Sequence, residues 1–268
     1  MPFLASIYWN VRPEIFSLGV ITVRWYGLLF TLGFVIGYII MQVFFKKEEK
    51  DLKYLDALTV YMLIGTVVGA RLGHCLFYSP GYYLSHPIEI LKVWEGGLAS
   101  HGAGIGILLA LWLFSRKYKE FSMLWILDRI AVVVALAGSF IRLGNFMNSE
   151  IIGKPSNLPW AVVFERVDLI PRHPAQLYES FAYLSIFILL ITIYFVQKAK
   201  FPDGYIFGLF LTLVFGIRFL LEFLKESQVS FESTLPIDMG QILSIPFIAA
   251  GIFLFYRASK KKKKTNGW

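Results

Sequence analysis

The densest reactive chemistry in the 268-residue chain lies in one run, Ile141-Arg142-Leu143-Gly144-Asn145-Phe146-Met147-Asn148-Ser149-Glu150-Ile151-Ile152-Gly153. It holds a cation, a carboxylate, two carboxamides, a hydroxyl and two glycines. Turn formation accounts for some of these, since Gly and Asn tolerate positive φ. It does not call for Arg142 and Glu150 in one short segment. The two can pair, or Arg142, the Asn amides and loop N–H groups can build an anion site, which is the sharper reading. A second cluster is Arg172-His173-Pro174-Ala175-Gln176-Leu177-Tyr178-Glu179. His173-Pro174 favours an extended entry. Gln176 and Glu179 then open a helix whose positive N-terminus an acidic residue complements. His101 follows Gly96-Gly97-Leu98-Ala99-Ser100 and precedes Gly102. It is either a hydrogen-bonded packing residue or a proton-transfer group, because imidazole titrates near neutrality.

The elements that must carry these residues are set by composition. The chain is 57% hydrophobic and 16% charged, with a mean hydropathy of +0.62. Its charged share lies well below the roughly 25% of soluble domains. Too little polar surface exists to cover a water-facing body, so the class is a polytopic membrane protein. One cysteine, Cys75, excludes an internal disulfide and any multi-cysteine metal site. No basic stretch and small-residue cleavage site precede the first apolar run, so no cleaved signal is expected.

A helix needs about 20 apolar residues to cross the hydrocarbon core. Seven candidates follow, at about 20–45, 55–77, 98–115, 122–141, 177–197, 204–224 and 238–257. Basic residues concentrate after spans one, three, five and seven, ending in Lys260 to Lys264. The connections on the other side carry fewer: Arg12, Lys92, Arg142, Lys154, Arg166, Arg172 and Lys225. The positive-inside rule puts the N-terminus outside and the C-terminus in the cytoplasm. The excess of 26 Lys+Arg over 18 Asp+Glu is thereby explained, without invoking nucleic acid. Residues 260–268 read as a basic cytoplasmic tail facing anionic headgroups. The outer connections 78–97 and 142–176 are long, and Trp160–Phe164 in the second suits a short strand or a buried interfacial segment. No domain boundary is evident, so the fold expected is one all-α membrane domain over 1–268.

Charges at membrane depth are costly, about 2.5–3.5 kcal/mol at the bilayer centre on insertion scales. Arg24, Arg71, Arg142, Arg218 and Glu222 all fall in or at the ends of spans. Arg218 and Glu222, at i and i+4, share a helix face and can pair. Arg24 and Arg71 can snorkel to headgroups. The clusters lie toward the outer face, so the chemistry points to an anionic substrate met from the outer leaflet, lipid phosphate foremost. The residues alone leave open a lipid or anion transporter, a scaffold of buried charge pairs, or some phospholipid-using transferase. The lack of an internal repeat weakens the transporter.

The run Arg142 to Gly153 resembles the signature R-x-G-N-F-x-N-x-E-x-x-G of prolipoprotein diacylglyceryl transferases. Arg24-Trp25-Tyr26-Gly27, Ala70-Arg71-Leu72-Gly73 with Phe77-Tyr78, Gly96 to Gly102, His173 to Glu179, and Arg218-Phe219 with Glu222-Phe223 resemble the same family in the same order. The resemblance covers nearly the whole chain. It implies a multi-pass enzyme of the bacterial inner membrane, without metal or organic cofactor. Such an enzyme transfers the diacylglyceryl group of phosphatidylglycerol to the lipobox cysteine in the signal peptide of a prolipoprotein. His74, Ala103, the stretch Leu213–Ile217 and the stretch Leu224–Gln228 depart from the family's usual pattern.

That resemblance and the chemistry together give roles. Displacing phosphate by a thiol needs a thiolate and a charge-stabilised leaving group. Arg142 and Arg218 are expected to hold the phosphate, since the guanidinium fork matches its oxygens. His101 is the candidate base, or else a residue positioning Arg142. Asn145, Asn148 and Gly153 are expected to hold glycerol and phosphate, with Glu150 and Glu222 orienting the arginines. Tyr26 and Arg71 complete the lipid site.

Overall fold

The computed structural model describes residues 7–19, 21–93, 96–226 and 238–265. Eight α-helices dominate: α1 (Trp25–Lys47), α2 (Leu52–Tyr78), α3 (Pro80–Ser85), α4 (Ser100–Lys117), α5 (Met123–Asn148), α6 (Ala175–Val196), α7 (Tyr205–Glu222) and α8 (Met239–Thr265). Six are long and apolar enough to cross a membrane: α1, α2, α5, α6, α7 and α8 up to Lys261. The expected third span is present as α4, but it is not among those six. It opens on Ser-His-Gly and closes on Arg116-Lys117, which leaves a short apolar centre.

The chain is not all-α. Five short strands are β1 (Ile7–Trp9), β2 (Glu14–Leu18), β3 (Ile21–Arg24), β4 (Val162–Phe164) and β5 (Pro171–Arg172). β4 answers the strand expected near Trp160–Phe164. β1 and β5 are too short to show an alternating pattern, and the β2–β3 pair is interrupted by an irregularity between Glu14 and Phe16. β1 pairs in parallel with β4, and β4 runs antiparallel to β5. β2 and β3 form a separate hairpin. β3 takes the residues expected to begin the first span, so α1 starts later, at Trp25.

The fold divides into two compact units. The unit of residues 42–126 is built on α2 and α4. Gly65, Gly69 and Gly73 of α2 face Gly102, Gly106 and Ala110 of α4 so closely that a side chain on any of these glycines meets backbone. Close approach at small residues is how helices associate in lipid, where burial itself drives little. Phe121 gathers Phe45, Tyr54, Phe114 and Trp125 at centroid distances of 5.0–5.8 Å.

The other unit holds residues 1–41 and 127–268. Gly33 and Gly37 of α1 pack on Ala137 and Val133 of α5. α7 and α8 meet at Gly208 and Gly251. α7 has no side-chain cap of its own. Buried Asp128 of α5 supplies one instead, accepting the N–H groups of Gly204 at 2.7 Å and Phe207 at 2.8 Å. A cap of this kind contributes about 1 kcal/mol. Phe146, Val162 and Phe164 form a small core with Trp9, Met147, Ile152 and Leu177. This core fixes the end of α5 against the sheet, and with it the polar run that follows.

Candidate active site

The polar run begins inside a helix, not in a loop. α5 continues to Asn148, so Arg142, Asn145 and Asn148 share one helical edge at three-residue spacing. The helix then breaks through two non-glycine residues with positive φ, Ser149 (57°) and Ile151 (54°). That conformation is costly for a β-branched residue such as Ile151. It turns Glu150 back over the helix end, where its N–H reaches the Asn145 carbonyl at 2.9 Å.

The side chains then link in series. Arg142 Nη1 donates to Asn145 Oδ1 at 3.3 Å. Asn145 Nδ2 donates to Glu150 Oε2, and Asn148 Nδ2 to Glu150 Oε1, both at 3.1 Å. Gln176 Nε2 holds the Glu150 carbonyl at 2.5 Å. Arg142 and Glu150 are therefore joined through Asn145, and Arg142 takes a different carboxylate. Its Nε lies 2.9 Å from Glu179 Oε2, with Glu179 wholly buried. Glu179 is not at the helix N-terminus: α6 begins at Ala175 with no side-chain cap, and Glu179 sits past its first turn.

Glu179 has a second cation. Lys225 Nζ reaches its Oε1 at 3.0 Å and Glu222 Oε2 at 2.9 Å. The expected Arg218–Glu222 pair does not form among the described residues, because Lys225 holds Glu222. Glu222 also lies over Gly240, where any side chain would collide with its carboxylate. Arg218 Nε is buried and has no hydrogen-bond partner among the described residues. Its guanidinium and that of Arg142 are both within electrostatic range of the Tyr183 hydroxyl.

Gly153 closes the run. It forms an antiparallel bridge with Lys225, and its N–H donates to the His173 carbonyl at 3.1 Å. A Cβ at Gly153 would meet the backbone of both His173 and Leu224, so only glycine fits. Beside it, Arg172 grips Asp168 through Nε and Nη2 and reaches Glu226 Oε2 at 2.7 Å. The paired guanidinium lowers the Asp168 carboxyl below its ordinary 3.8. The two carboxylates raise Arg172 further, from an already high value. Tyr26 is half-buried and lies against Gly144, whose missing side chain makes room for its ring.

Buried polar atoms without hydrogen bonds concentrate here. Asn148 Oδ1, Ser149 Oγ, Gln176 Oε1, Glu179 Oε2 and Arg218 Nε are five of the six found among the described residues. Such atoms are rare in a settled interior.

Arg71 and His101 belong to the other unit, described by itself. Arg71 does not snorkel. It is 4% exposed, and it donates to the carbonyls of Glu89 (2.5 Å), Ile90 (2.9 Å), Gly96 (2.6 Å) and Gly97 (3.3 Å). These bonds pin the connection between α2 and α4. Arg24 is exposed and lies 3.8 Å from Glu14. His101 stands in the first turn of α4, exposed, its ring 5.4 Å from Phe77 and 5.9 Å from Tyr78. It makes no hydrogen bond among the described residues. An apolar groove of about 480 Å³ along α2 and α4 ends at Phe77 and Gly102, next to this imidazole.

The profile of the family described as prolipoprotein diacylglyceryl transferase matches residues 13–257. The chain belongs to that family. It is 54% identical over 258 residues to the phosphatidylglycerol–prolipoprotein diacylglyceryl transferase of Tolumonas auensis, covering 96% of this chain and 100% of the relative. It is 49% identical over 255 residues to the enzyme of that name from Chloroherpeton thalassium, covering 95% of each. For the one from Bacteroides fragilis the figures are 46% over 271 residues, 97% of this chain and 98% of the relative. The family signature thus sits at the end of α5. The residues that brace it were not singled out as site residues from sequence. Glu179 was read as a helix-end charge and Lys225 as an outer loop charge. Their signals in the sequence are charge beside a long apolar span and, for Glu179, its place at the end of the family-like segment His173–Glu179.

Proposed function

We propose that this protein transfers the diacylglyceryl group of phosphatidylglycerol to the lipobox cysteine thiol of a prolipoprotein. The thiol sulfur bonds to the glycerol carbon that carries the phosphate. That C–O bond breaks, its electron pair stays on the phosphate oxygen, and glycerol phosphate leaves. The names of the close relatives support the two substrates. The observation that carries the reading is the linked chain of Arg142, Asn145, Glu150 and Asn148 at the end of α5, with Arg142 and Arg218 both in electrostatic range of Tyr183.

Two barriers must fall. A thiol with a pKa near 8.5 is mostly protonated at neutral pH, and thiolate is the nucleophile. His101 is our base, worth about 10²–10⁴-fold. Its exposure and lack of a hydrogen bond suit a group that takes a substrate proton. The leaving phosphate also gains charge in a poorly solvated site. Arg142 and Arg218 face that charge, since fixed cations stabilise it without reorganising. Asn145, Asn148 and Glu150 orient Arg142, and Gly153 lets the backbone come close. The groove beside His101 suits an acyl chain. Arg71 contributes by holding the connection that precedes His101.

We further propose a bacterial inner-membrane location with seven crossings, α4 being the seventh. The N-terminus then lies outside and the lysine-rich end of α8 in the cytoplasm, with the segment from Ser149 to Pro174 on the outer side. Lysines at the ends of α1 and α8 support this orientation.

The test combines purified protein in detergent, phosphatidylglycerol and a synthetic lipobox peptide with one cysteine, read by mass spectrometry. A gain of one diacylglyceryl unit is expected. It must be absent with a Cys→Ser peptide and with Arg142→Ala enzyme. No gain from folded, lipid-binding protein sinks the proposal.

A further inference from the structure

We propose that Lys225 is a positioning residue, which keeps the fork of Arg142 free for phosphate by occupying one oxygen of Glu179. This rests on the transferase reading above. Lys225 is 4% exposed and is held from two sides. Its backbone bridges Gly153 at the end of the family signature. The neighbouring strands of chain add bonds from Lys154 N–H to the Leu224 carbonyl (2.8 Å) and from Glu226 N–H to the Ile152 carbonyl (3.1 Å). The Nζ position is therefore fixed relative to the signature.

Its ammonium takes Oε1 of Glu179 at 3.0 Å, an oxygen also approached by the Tyr183 hydroxyl at 3.4 Å. Arg142 is left with Oε2. Its Nε comes within 2.9 Å, yet Oε2 accepts no aligned hydrogen bond. The contact is a charge contact and not the bidentate pair that arginine and carboxylate ordinarily form. Lys225 and the Tyr183 hydroxyl together take the two lone-pair directions of Oε1, so a bidentate grip by Arg142 would have to displace one of them. With the ammonium removed by substitution, Oε1 regains an open direction and Arg142 turns its fork onto both oxygens, away from Asn145 and from any phosphate. Glu222 is the other carboxylate on Lys225, and among the described residues no ion pair joins it to Arg142. The proposed effect of Lys225 on Arg142 runs through Glu179.

The test is a double-mutant cycle in the mass-shift assay, with kcat and KM for phosphatidylglycerol measured separately. Lys225→Met is expected to lower kcat about tenfold, with KM changed by less than about threefold. Lys225→Arg is expected to restore kcat to within about threefold of wild type. In a Glu179→Gln background, itself slow, adding Lys225→Met is expected to cost less than about twofold. Unchanged kcat in K225M, no rescue by K225R, or the same loss in both backgrounds each overturns the proposal. If K225M does not fold, Lys225→Gln replaces it in the cycle. Failure of both while K225R folds shows a structural role and also overturns it. Wild-type protein that transfers nothing defeats the transferase reading instead, which separates the two failures.

Discussion

Arg142 is held by two partners of different chemistry, an amide and a buried carboxylate, and this makes its replacement unforgiving. Arg142→Lys should lose nearly as much activity as Arg142→Ala, both at least about 100-fold down in kcat/KM, because a point charge cannot span Asn145, Glu179 and a phosphate together. A lysine variant within a few-fold of wild type would refute that. His101→Ala should lower kcat by about 10²-fold or more while leaving phosphatidylglycerol binding nearly intact; equal losses in the two would make His101 a packing residue. The Asp168–Arg172 pair gives a stability prediction. The Asp168 carboxyl is depressed in the folded protein. Its contribution is therefore present above the ordinary carboxylate range and is lost as pH falls below about 4. The melting-temperature gap between wild type and Asp168→Asn should narrow as pH drops from 7 to 3.5; a constant gap would show that the charge is not involved. At this scale the sequence singled out Arg142, Arg218 and Glu222, and the structure gives Arg142 and Glu222 partners that local spacing does not suggest. Arg218 and Glu222 looked paired by helical spacing, and the pairing was decided by Lys225 arriving from the chain after α7. Arg142 found Glu179 on another helix, a choice that local spacing does not encode.

Among the helices, the α2–α4 seam is the most sensitive packing. A methyl group on Gly102 would press on the Gly69 carbonyl and on Gly73 Cα, whereas one on Gly104 would meet nothing within 4 Å. Gly102→Ala should therefore cost about 1–3 kcal/mol by overpacking, a fall of roughly 2–10 °C in Tm. Gly104→Ala, two residues away on the same helix, should leave Tm unchanged or slightly higher. Equal effects would mean that the helices do not approach as closely as described. Helix positions were largely legible, because long apolar runs admit few alternatives. The ends were less so. α5 runs past the apolar stretch to Asn148 since Arg142 and Asn145 find polar partners within the protein. The lysines of the C-terminal end were read as a tail, and α8 carries through them to Thr265. The strands were hardly legible: β1 and β5 are very short, β1 pairs with a segment far along the chain, and the β2–β3 hairpin is broken by an irregularity between Glu14 and Phe16.

For the whole molecule, composition alone decided the class, and charge asymmetry set an orientation that depends on the number of crossings. If α4 crosses with the six longer helices, the two ends of the chain lie on opposite faces. If it does not, they share one. Single cysteines introduced at Ser17, before α1, and at Ser259, near the end of α8, in a Cys75→Ala background, settle the matter with a membrane-impermeant thiol reagent on intact cells. Labelling is expected at position 17 and not at 259; labelling of both, or of neither, would remove α4 from the crossings. The pairing of β1 with β4 carries a further consequence, in time and not in space. Ile7 to Trp9 sit opposite Val162 to Phe164, about 150 residues later in synthesis. At roughly 5–20 residues per second, the first strand waits on the order of 10 s or more for its partner. Until then the sheet that braces the end of α5 has no first strand. The nascent enzyme is inactive through most of its own translation, and a bulky tag at the N-terminus would be felt at the far end of that wait.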